Sequence, residues 1–261
     1  DMAHLEVEPL GAALGAEVSF VGAVGADAAG RRYLEHLRTA GIEASGVREI
    51  PGVDTGAAMI LVDDLGENLI IVDPGANSRL EPQSVEGSIR AHEPTVLLAQ
   101  LEVPIAALEA AVAAVDARTI VVLNPAPMPA DPTLLAGVLR RVDVLVPNRR
   151  ELGQFAGCEE PRNLQEVTRC LTSLPFHGTV VVTLGADGAV VAEPGRSLVH
   201  VQAKVVEPVD TSGAGDAFCG ALVVGLAAGA DLADAVRRAV DVASESTLVR
   251  GAQLAVSPTV P

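Results

Sequence analysis

The chain has 261 residues, of which 49% are hydrophobic, and its formal net charge is −16 at pH 7. This length fits a single α/β domain with a full core, and the acidic balance argues against nucleic acids and membranes as partners, because both need basic surfaces. We expect neither a transmembrane helix nor a signal sequence, and three cysteines without metal-ligand spacing favour a reducing cytoplasm.

Residues 1–16 show neither helical nor strand periodicity. A chain of this class should begin with a core strand, and none is predicted there, so we expect segments to be missing from this stretch or the chain to be truncated; we favour missing segments. The first predicted strand covers residues 17–25. Asp27 then precedes a helix that runs to about Ala40, where Gly41 ends it.

Residues 55–73 contain two β-rich runs around an Asp-Asp-x-Gly turn, which predicts a β-hairpin followed by a loop at residues 74–77. Short apolar strands and helices then alternate. The predicted strands are 95–98, 119–123, 142–146 and 179–184, and the predicted helices lie near 104–116, 131–140, 149–156 and 163–174. This alternation predicts a mainly parallel sheet with helices on both faces and right-handed crossovers.

Polar residues follow each of the four predicted strands, where sheets of this kind bind ligands. Glu102 follows the first strand, Asn124 the second, Asn148 and Glu151 the third, and residues 183–188 the fourth. This shared position predicts a site along one edge of the sheet. Each residue also has an ordinary interpretation, because Asn148 and Glu151 suit a helix cap with a first-turn acid, and residues 183–188 suit a hairpin turn.

A glycine-rich turn at residues 210–216 follows two predicted edge strands, 188–193 and 197–202, and opens into an apolar run that predicts a buried helix over 217–229. A second helix is predicted from residue 231 to about 248. Glycines let a ligand approach the backbone closely, and the unpaired N–H groups that begin a helix form an anion site. Asp216 is placed to take a proton from a hydroxyl aimed at that site, which indicates phosphoryl transfer to an alcohol. The alternative is an ordinary glycine-rich loop with a capping aspartate.

The segment Asp-Thr-x-Gly-Ala-Gly-Asp-x-Phe at residues 210–218 resembles the C-terminal signature of the ribokinase-like (PfkB) family of carbohydrate kinases. Other segments similar to family motifs are Thr55-Gly56, Gly66-Glu67-Asn68, Pro74-Gly75-Ala76-Asn77, Gln100-Leu101-Glu102, Asn124-Pro125-Ala126-Pro127 and Asn148-x-x-Glu151. The resemblance covers nearly everything from residue 15 to about 253. It implies a three-layer αβα ribokinase-like fold as one domain over residues 1–261, with a small β lid formed mainly by residues 47–77.

The activity implied by the resemblance is ATP-dependent phosphorylation of a sugar. Ribose is the favoured substrate, with its 5-hydroxyl as the acceptor and ribose 5-phosphate as the product. Deoxyribose, a nucleoside, a ketohexose phosphate and a keto-deoxy-sugar acid remain alternatives within the family. A non-catalytic sugar- or nucleotide-binding protein is the alternative from another class.

The resemblance also implies the role of each site residue. Asp216 would be the catalytic base, and the N–H groups of Gly213, Ala214 and Gly215 would form an anion hole. Glu102 and Asp1, with Asp216, would contact the sugar. The residues that would contact ATP are Asn148, Gly215, Thr183, Leu184, Gly185, Ala186, Asp187 and Gly188.

Two cations are implied by the same resemblance. Glu151, with Asn148, would position Mg²⁺ through its water shell. The residues that would hold K⁺ are Asp210, Ser212, Ser246, Val249 and Gly251. The chain departs from the family in two places: Ala255 stands where a further serine ligand is expected, and the front of the chain lacks the Asn-x-Asp and Gly-Gly-Lys-Gly-Ala-Asn segments that grip the sugar, of which Asp1 could be a remnant.

Three further predictions concern surfaces and the core. A lone hairpin is marginally stable and its edges pair readily, so we expect a homodimer through the lid, as the resemblance also implies. Arg149 and Arg150 are predicted to lie on a solvated helix face. Cys219, beside the glycine-rich turn, is predicted to be a small core residue.

Overall fold

The computed structural model describes residues 11–12, 14–62 and 68–249. Its strands in chain order are β1 (Ser19–Gly25), β2 (Glu43–Ile50), β3 (Ala57–Val62), β4 (Asn68–Asp73), β5 (Val96–Ala99), β6 (Ile120–Leu123), β7 (Val144–Leu145), β8 (Thr179–Thr183), β9 (Ala189–Ala192) and β10 (Val199–Val201). Its α-helices are α1 (Ala28–Thr39), α2 (Pro82–His92), α3 (Ile105–Ala114), α4 (Ala136–Leu139), α5 (Arg149–Ala156), α6 (Leu164–Ser173), α7 (Ala214–Ala227) and α8 (Leu232–Ser246).

The central sheet has six strands in the order β10-β9-β8-β7-β6-β5. Strands β5 to β8 are parallel, whereas β9 and β10 pair antiparallel at one edge. The mainly parallel sheet and its antiparallel edge strands are therefore confirmed. Strands β1 and β2 form a separate parallel pair, and β3 and β4 form the expected antiparallel hairpin.

Helices cover both faces of the central sheet. Alternate residues of each strand point to opposite faces, so each strand packs against both layers of helices. The strand residues packed against α7 and α8 include Val122, Val144 and Val181, together with Val146 directly after β7. Those packed against α3, α5 and α6 include Val121, Leu123, Leu145, Val180 and Val182. The predicted α/β architecture is thus confirmed, with α7 on one face and α5 on the other.

The structure corrects several local predictions. Strand β2 and helix α2 were not predicted, because few of their residues are buried and each contains a glycine. The predicted loop at residues 74–77 becomes a 3₁₀ turn at Gly75–Arg79, and the predicted helix at 131–140 divides into a 3₁₀ turn (Pro132–Leu135) and α4. Helix α7 begins at Ala214, three residues before the apolar run from which it was predicted. The predictions for residues 1–10, the hairpin tip at 63–67 and residues 250–261 lie outside the described residues.

Thr55 ties the start of the hairpin to the core. Its N–H and Oγ1 donate to the two carboxylate oxygens of Asp27 at 2.8 and 2.7 Å, and its Oγ1 accepts from the N–H of Gly25 at 2.9 Å. The Asp27 carboxylate also caps α1 by accepting from the N–H of Gly30 at 2.7 Å. These bonds, led by the one from Gly30, lower the pKa of Asp27 to about 2. The carboxylate therefore stays ionised and holds the hairpin to β1 and α1 at neutral pH.

No helix within the described ranges combines the length and the apolar character that crossing a membrane would require.

Candidate active site

Asp216 is connected by hydrogen bonds to the ends of three central strands. Gln100, directly after β5, donates from Nε2 to Oδ1 of Asp216 and to Oδ1 of Asn124, both at 3.1 Å. Asn124, directly after β6, donates from Nδ2 to the carbonyl of Val146, directly after β7, at 2.8 Å. The half-buried Asp216 carboxylate is thus held in one orientation at the carboxyl edge of the sheet.

Gln100 is a site residue to which the sequence analysis gave no role. The available signal was its position, because it follows β5 directly, as Asn124 follows β6. Residues at equivalent positions of neighbouring parallel strands lie side by side. The contact of Gln100 with Asp216 could not be predicted from the sequence, because the hydrophobic pattern does not show that α7 packs near the end of β5.

The glycine-rich turn begins α7 with its N–H groups directed out of the helix. Gly213 caps the helix in the left-handed conformation, with φ of 73°, and the N–H of Ala214 donates to the carbonyl of Thr211 at 3.3 Å. The N–H groups of Gly215 and Asp216 belong to the first turn, where an α-helix provides no carbonyl acceptor. A Cβ built on Gly215 meets no atom within 4 Å, so a ligand has room to approach this backbone.

The residues expected to hold K⁺ come from two segments that meet beside this turn. The N–H groups of Val209 and Asp210 both donate to the carbonyl of Thr247, at 2.7 and 3.1 Å, and Oδ1 of Asp210 accepts from the N–H of Ser212 at 2.9 Å. Ser246, next to Thr247, is buried. The contacts bring Asp210 and Ser212 beside the end of α8, where carboxylate, hydroxyl and carbonyl oxygens suit a hard cation. Gly251 lies outside the described residues.

Asn148 and Glu151 cap the start of α5 reciprocally. The Asn148 side chain accepts from the N–H of Glu151 at 2.9 Å, and Oε2 of Glu151 accepts from the N–H of Asn148 at 2.8 Å. Glu151 is only 8% exposed, and burial raises the pKa of its carboxyl. The capping interpretation is therefore confirmed, while the cation role stays a prediction.

Cys219 lies in α7, three residues after Asp216, and its thiol is buried. Burial raises the pKa of this thiol, and the charges of Asp216 and then Glu151 raise it further. Cys219 is a core residue, as predicted. In the part of the chain that the structure describes, no group of three or more His, Cys, Asp or Glu side chains is arranged to hold a metal.

The residues expected to contact the nucleotide form a tight turn between β8 and β9. The N–H of Leu184 donates to the carbonyl of Gly188 at 2.7 Å, and the N–H of Thr183 donates to the carbonyl of Pro147 at 3.0 Å. A Cβ on Gly188, where φ is 85°, would lie 2.0 Å from the carbonyl oxygen of Val201. The sheet thus requires glycine at this position and places the turn beside Asn148, which forms a β-bridge with Thr183.

Arg149 does not lie on a solvated helix face, so that prediction is wrong for this residue. Its side chain is 18% exposed and forms an ion pair with Asp187 at 2.5 Å. Arg150, its neighbour, is exposed as predicted.

A cavity of about 620 Å³ lies beside Arg149 on the α5–α6 side of the sheet. It is lined by Arg149, Glu159, Glu160, Pro161, Arg162, Leu184, Ala186 and Asp187. Residues 213–216 begin α7 on the other face of the sheet, so this cavity is not the space in front of Asp216.

The remaining predicted residues divide between described and undescribed parts of the chain. Glu102 is half-buried in the segment after β5, where the N–H of Leu101 donates to the carbonyl of Ala126 at 2.9 Å. Val249 is 44% exposed just beyond α8. Asp1 lies outside the described residues.

Comparison with known proteins gives consistent matches across the chain. Residues 10–260 match the family model described as pfkB family carbohydrate kinase. The chain is 32% identical over 242 residues to the ribokinase of Schizosaccharomyces pombe, covering 90% of the chain and 75% of that protein. It is 33% identical over 249 residues to the ribokinase of Staphylococcus aureus, covering 92% and 79%. The structure of Arabidopsis thaliana ribokinase complexed with ribose and ATP aligns with a TM-score of 0.82 at 26% identity, over 97% of this chain and 82% of that one.

Proposed function

Because the chain belongs to the pfkB family of carbohydrate kinases, it is a phosphotransferase with an alcohol group as acceptor, and we propose that it transfers the γ-phosphoryl group of ATP to the 5-hydroxyl of D-ribose. The observation that carries this proposal is the position of Asp216, a fixed carboxylate in the first turn of α7. Ribose is the proposed substrate because the two relatives described above are ribokinases, and the Arabidopsis structure holds ribose and ATP.

In the proposed reaction Asp216 takes the proton from the sugar hydroxyl as the hydroxyl oxygen bonds to the γ-phosphorus. The bond between the γ-phosphorus and the β,γ-bridging oxygen breaks, and ADP leaves. The negative charge on the transferred group then lies against the N–H groups of Gly213, Ala214 and Gly215. The N–H of Ala214 also bonds within its turn, at 3.3 Å, and we expect that long bond to yield to the phosphoryl oxygen. General-base action is worth about 10²–10⁴-fold and one oxyanion donor about 10²–10³-fold in rate.

We propose that ATP, the sugar and the two cations also bind along this edge of the sheet. The residues proposed to contact ATP are Asn148, Thr183, Leu184, Gly185, Ala186, Asp187, Gly188 and Gly215. Glu102 is proposed to contact the sugar. Mg²⁺ would be held through water by Glu151 and Asn148, and when bound it neutralises charge on the phosphates. K⁺ would be held by Asp210, Ser212, Ser246, Val249 and Gly251. The three cysteines are free thiols, which supports the proposed cytoplasmic location.

The test of this function is ADP release from ATP and Mg²⁺ with D-ribose, measured with and without K⁺. Turnover that requires ribose and rises with K⁺ is the expected result. Parallel assays with 2-deoxyribose, a nucleoside, a ketohexose phosphate and a keto-deoxy-sugar acid identify another substrate if ribose is inert. Absence of turnover with every sugar, despite measurable nucleotide binding, would support a binding protein instead.

Replacing Glu151 with glutamine is expected to lower turnover about 10–100-fold, the range for residues that orient a metal from outside its ligand shell. The same change should also alter how stability depends on pH: as the pH rises, the variant should become more stable relative to the wild type. Because burial raises the folded-state pKa of Glu151, its contribution to stability is present below the unfolded pKa of about 4.3 and is lost as pH rises through the folded pKa. Urea unfolding at about pH 4 and about pH 8 measures this difference.

Glu166 provides the matched control for this variant. Its carboxylate accepts from the N–H of Arg162 at 2.7 Å, and its own N–H donates to Asn163 at 3.0 Å, so it too is a first-turn acid beside a capping asparagine. The bond from Arg162 lowers the pKa of Glu166. Its contribution is therefore lost as pH falls, so Glu166→Gln should weaken the protein more at pH 8 than at pH 4 and leave turnover unchanged. If the stability of the two variants, relative to the wild type, changed with pH in the same direction, the raised pKa assigned to Glu151 would be wrong.

We also propose that the hairpin forms a homodimer interface. Met59 on β3 lies directly opposite Ile71 on β4, and their side chains are 61% and 52% exposed. An exposed apolar pair on an isolated two-stranded sheet is typical of a surface that pairs with another copy.

A double variant, Met59→Lys with Ile71→Lys, is expected to convert a dimer of about twice the chain mass into a monomer, because four charges would be buried at the interface. Light scattering after size-exclusion chromatography measures the mass. Val205→Lys, which alters a fully exposed apolar residue outside the hairpin, is the control and should leave the mass unchanged. A wild-type protein that is monomeric at all concentrations refutes the proposed interface.

A further inference from the structure

Arg149 connects three separate segments of the chain. Its Nη1 donates to the carbonyl of Pro161 at 3.2 Å, and its Nη2 lies 3.5 Å from the carbonyl of Leu184 and 2.5 Å from Oδ2 of Asp187. It also follows Asn148 directly as the first residue of α5. One guanidinium group therefore fixes the distance between the start of α5 and both ends of the short turn at Gly185–Asp187.

The backbone ties this segment to the start of α5 at Thr183, whose N–H donates to the carbonyl of Pro147 at 3.0 Å and which forms a β-bridge with Asn148. The turn at Gly185–Asp187 lies beyond those bonds. Gly185 and Gly188 have φ of 61° and 85°, a backbone conformation that glycine adopts readily and other residues rarely do. The internal bonds of the turn, such as the N–H of Gly188 to the carbonyl of Gly185 at 2.9 Å, set its shape but not its position. The imidazole of His200 contacts the carbonyl of Asp187 at 2.7 Å, which ties the turn to β10 and not to α5.

The charge of Arg149 matters as well as its reach. The protein carries a net charge of −16, and Asp187 places a carboxylate in the turn proposed to contact ATP. An unpaired carboxylate beside a polyphosphate would repel it. The planar guanidinium pairs with Asp187 and reaches two carbonyl groups at once, which the single ammonium group of lysine cannot do with the same geometry.

We propose that Arg149 is a positioning residue that holds the turn at Gly185–Asp187 against the start of α5 and neutralises Asp187, and that it thereby determines the affinity for ATP and not the rate of the chemical step. This inference rests on the proposed function, because it requires that the turn contacts the nucleotide. Arg149 itself need not touch ATP.

The test compares Arg149→Met with the wild type by calorimetric titration of ATP in the absence of sugar and by steady-state kinetics. The expected result is a rise of about 5–10-fold in the Kd and KM for ATP, the size expected for a lost charge-assisted bond at a partly exposed site. The kcat and the KM for ribose should remain close to the wild-type values. Arg149→Lys, which keeps the charge, should recover part of the affinity.

Two further variants separate positioning from general destabilisation. Arg196→Met removes an exposed ion pair with Glu193 beyond the other end of β9 and should leave the Kd for ATP unchanged. Arg149→Met combined with Asp187→Ala should weaken ATP binding no more than the larger of the two single changes, because both remove one interaction.

The outcomes distinguish this inference from the function on which it rests. If the wild type binds ATP and Arg149→Met binds it equally well, the inference is overturned while the function stands. Additive losses in the double variant also overturn it. If the wild type binds no ATP, both the proposed nucleotide site and the role of Arg149 are overturned.

Discussion

Replacing Asp216 with asparagine is expected to lower kcat about 10²–10⁴-fold, the range for a lost general base. Asparagine has nearly the same shape and can still accept the hydrogen bond from Gln100, which donates to Oδ1 of Asp216 at 3.1 Å. The geometry of the site should therefore survive while the ability to take a proton is removed. Steady-state kinetics with D-ribose measure the loss of rate, and calorimetric titration of ATP should show an affinity close to the wild-type value.

Asp234 offers a control at the same position of another helix. It is the third residue of α8, as Asp216 is of α7, and it forms an ion pair with Arg237 on the surface. Asp234→Asn removes the same charge from the same part of a helix, which affects stability by about 0.3–1 kcal/mol through the helix dipole. It should leave kcat unchanged. A similar, small effect of both substitutions on kcat would mean that Asp216 acts on the helix and not on the sugar.

Gly213→Ala is expected to lower kcat about 10²–10³-fold, as for the loss of one oxyanion donor. Gly213 has φ of 73°, and an alanine held there costs about 1–2 kcal/mol. The backbone can relieve this strain only by rotating, and rotation turns the N–H groups of the first turn away from the phosphoryl group. Turnover measured beside the free energy of unfolding tests whether the rate falls by more than the stability.

Gly229→Ala introduces the same strain at the opposite end of α7. Gly229 has φ of 78°, and a Cβ there meets no other atom within 4 Å. We expect a stability loss similar to that of Gly213→Ala, with kcat unchanged. If both glycine variants reduce kcat equally, the effect of Gly213→Ala comes from a weakened helix and the proposed anion hole is wrong.

The parts of the fold that the sequence predicts are those with strong hydrophobic patterns. Strands β6 to β8 consist of short apolar runs with buried residues on both faces, and β5 is an apolar run that is partly buried. Such runs are recognisable without the structure. Strand β2 is different, because four of the eight residues in Glu43–Ile50 are polar and, of all eight, only Gly46 is buried, while Val47 is partly buried. This segment forms a strand because it pairs with β1, and its composition alone does not predict that pairing.

The residues of the candidate site also divide into those that the sequence identifies and those that it does not. Asp216, Asn148 and Glu151 are predictable because their spacing within short segments carries the signal. Arg149 was predicted to be solvated because its contacts are with the carbonyls of Pro161 and Leu184 and with Asp187, which lie 12, 35 and 38 residues away. Periodicity and charge counts report only on residues that are close in sequence. An arginine whose partners are distant in sequence therefore cannot be distinguished from a surface arginine by these patterns.

The bond between Gln100 and Asp216 spans 116 residues of the chain. Closing a loop of this length has a large entropy cost, so we expect this contact to form late in folding. Asp216, the proposed base, is therefore expected to reach this orientation only after β5, β6 and α7 have come together, so a partly folded chain should lack activity. Recovery of enzymatic activity after dilution from denaturant should consequently report the completion of folding, whereas spectroscopic signals from individual helices report its earlier steps.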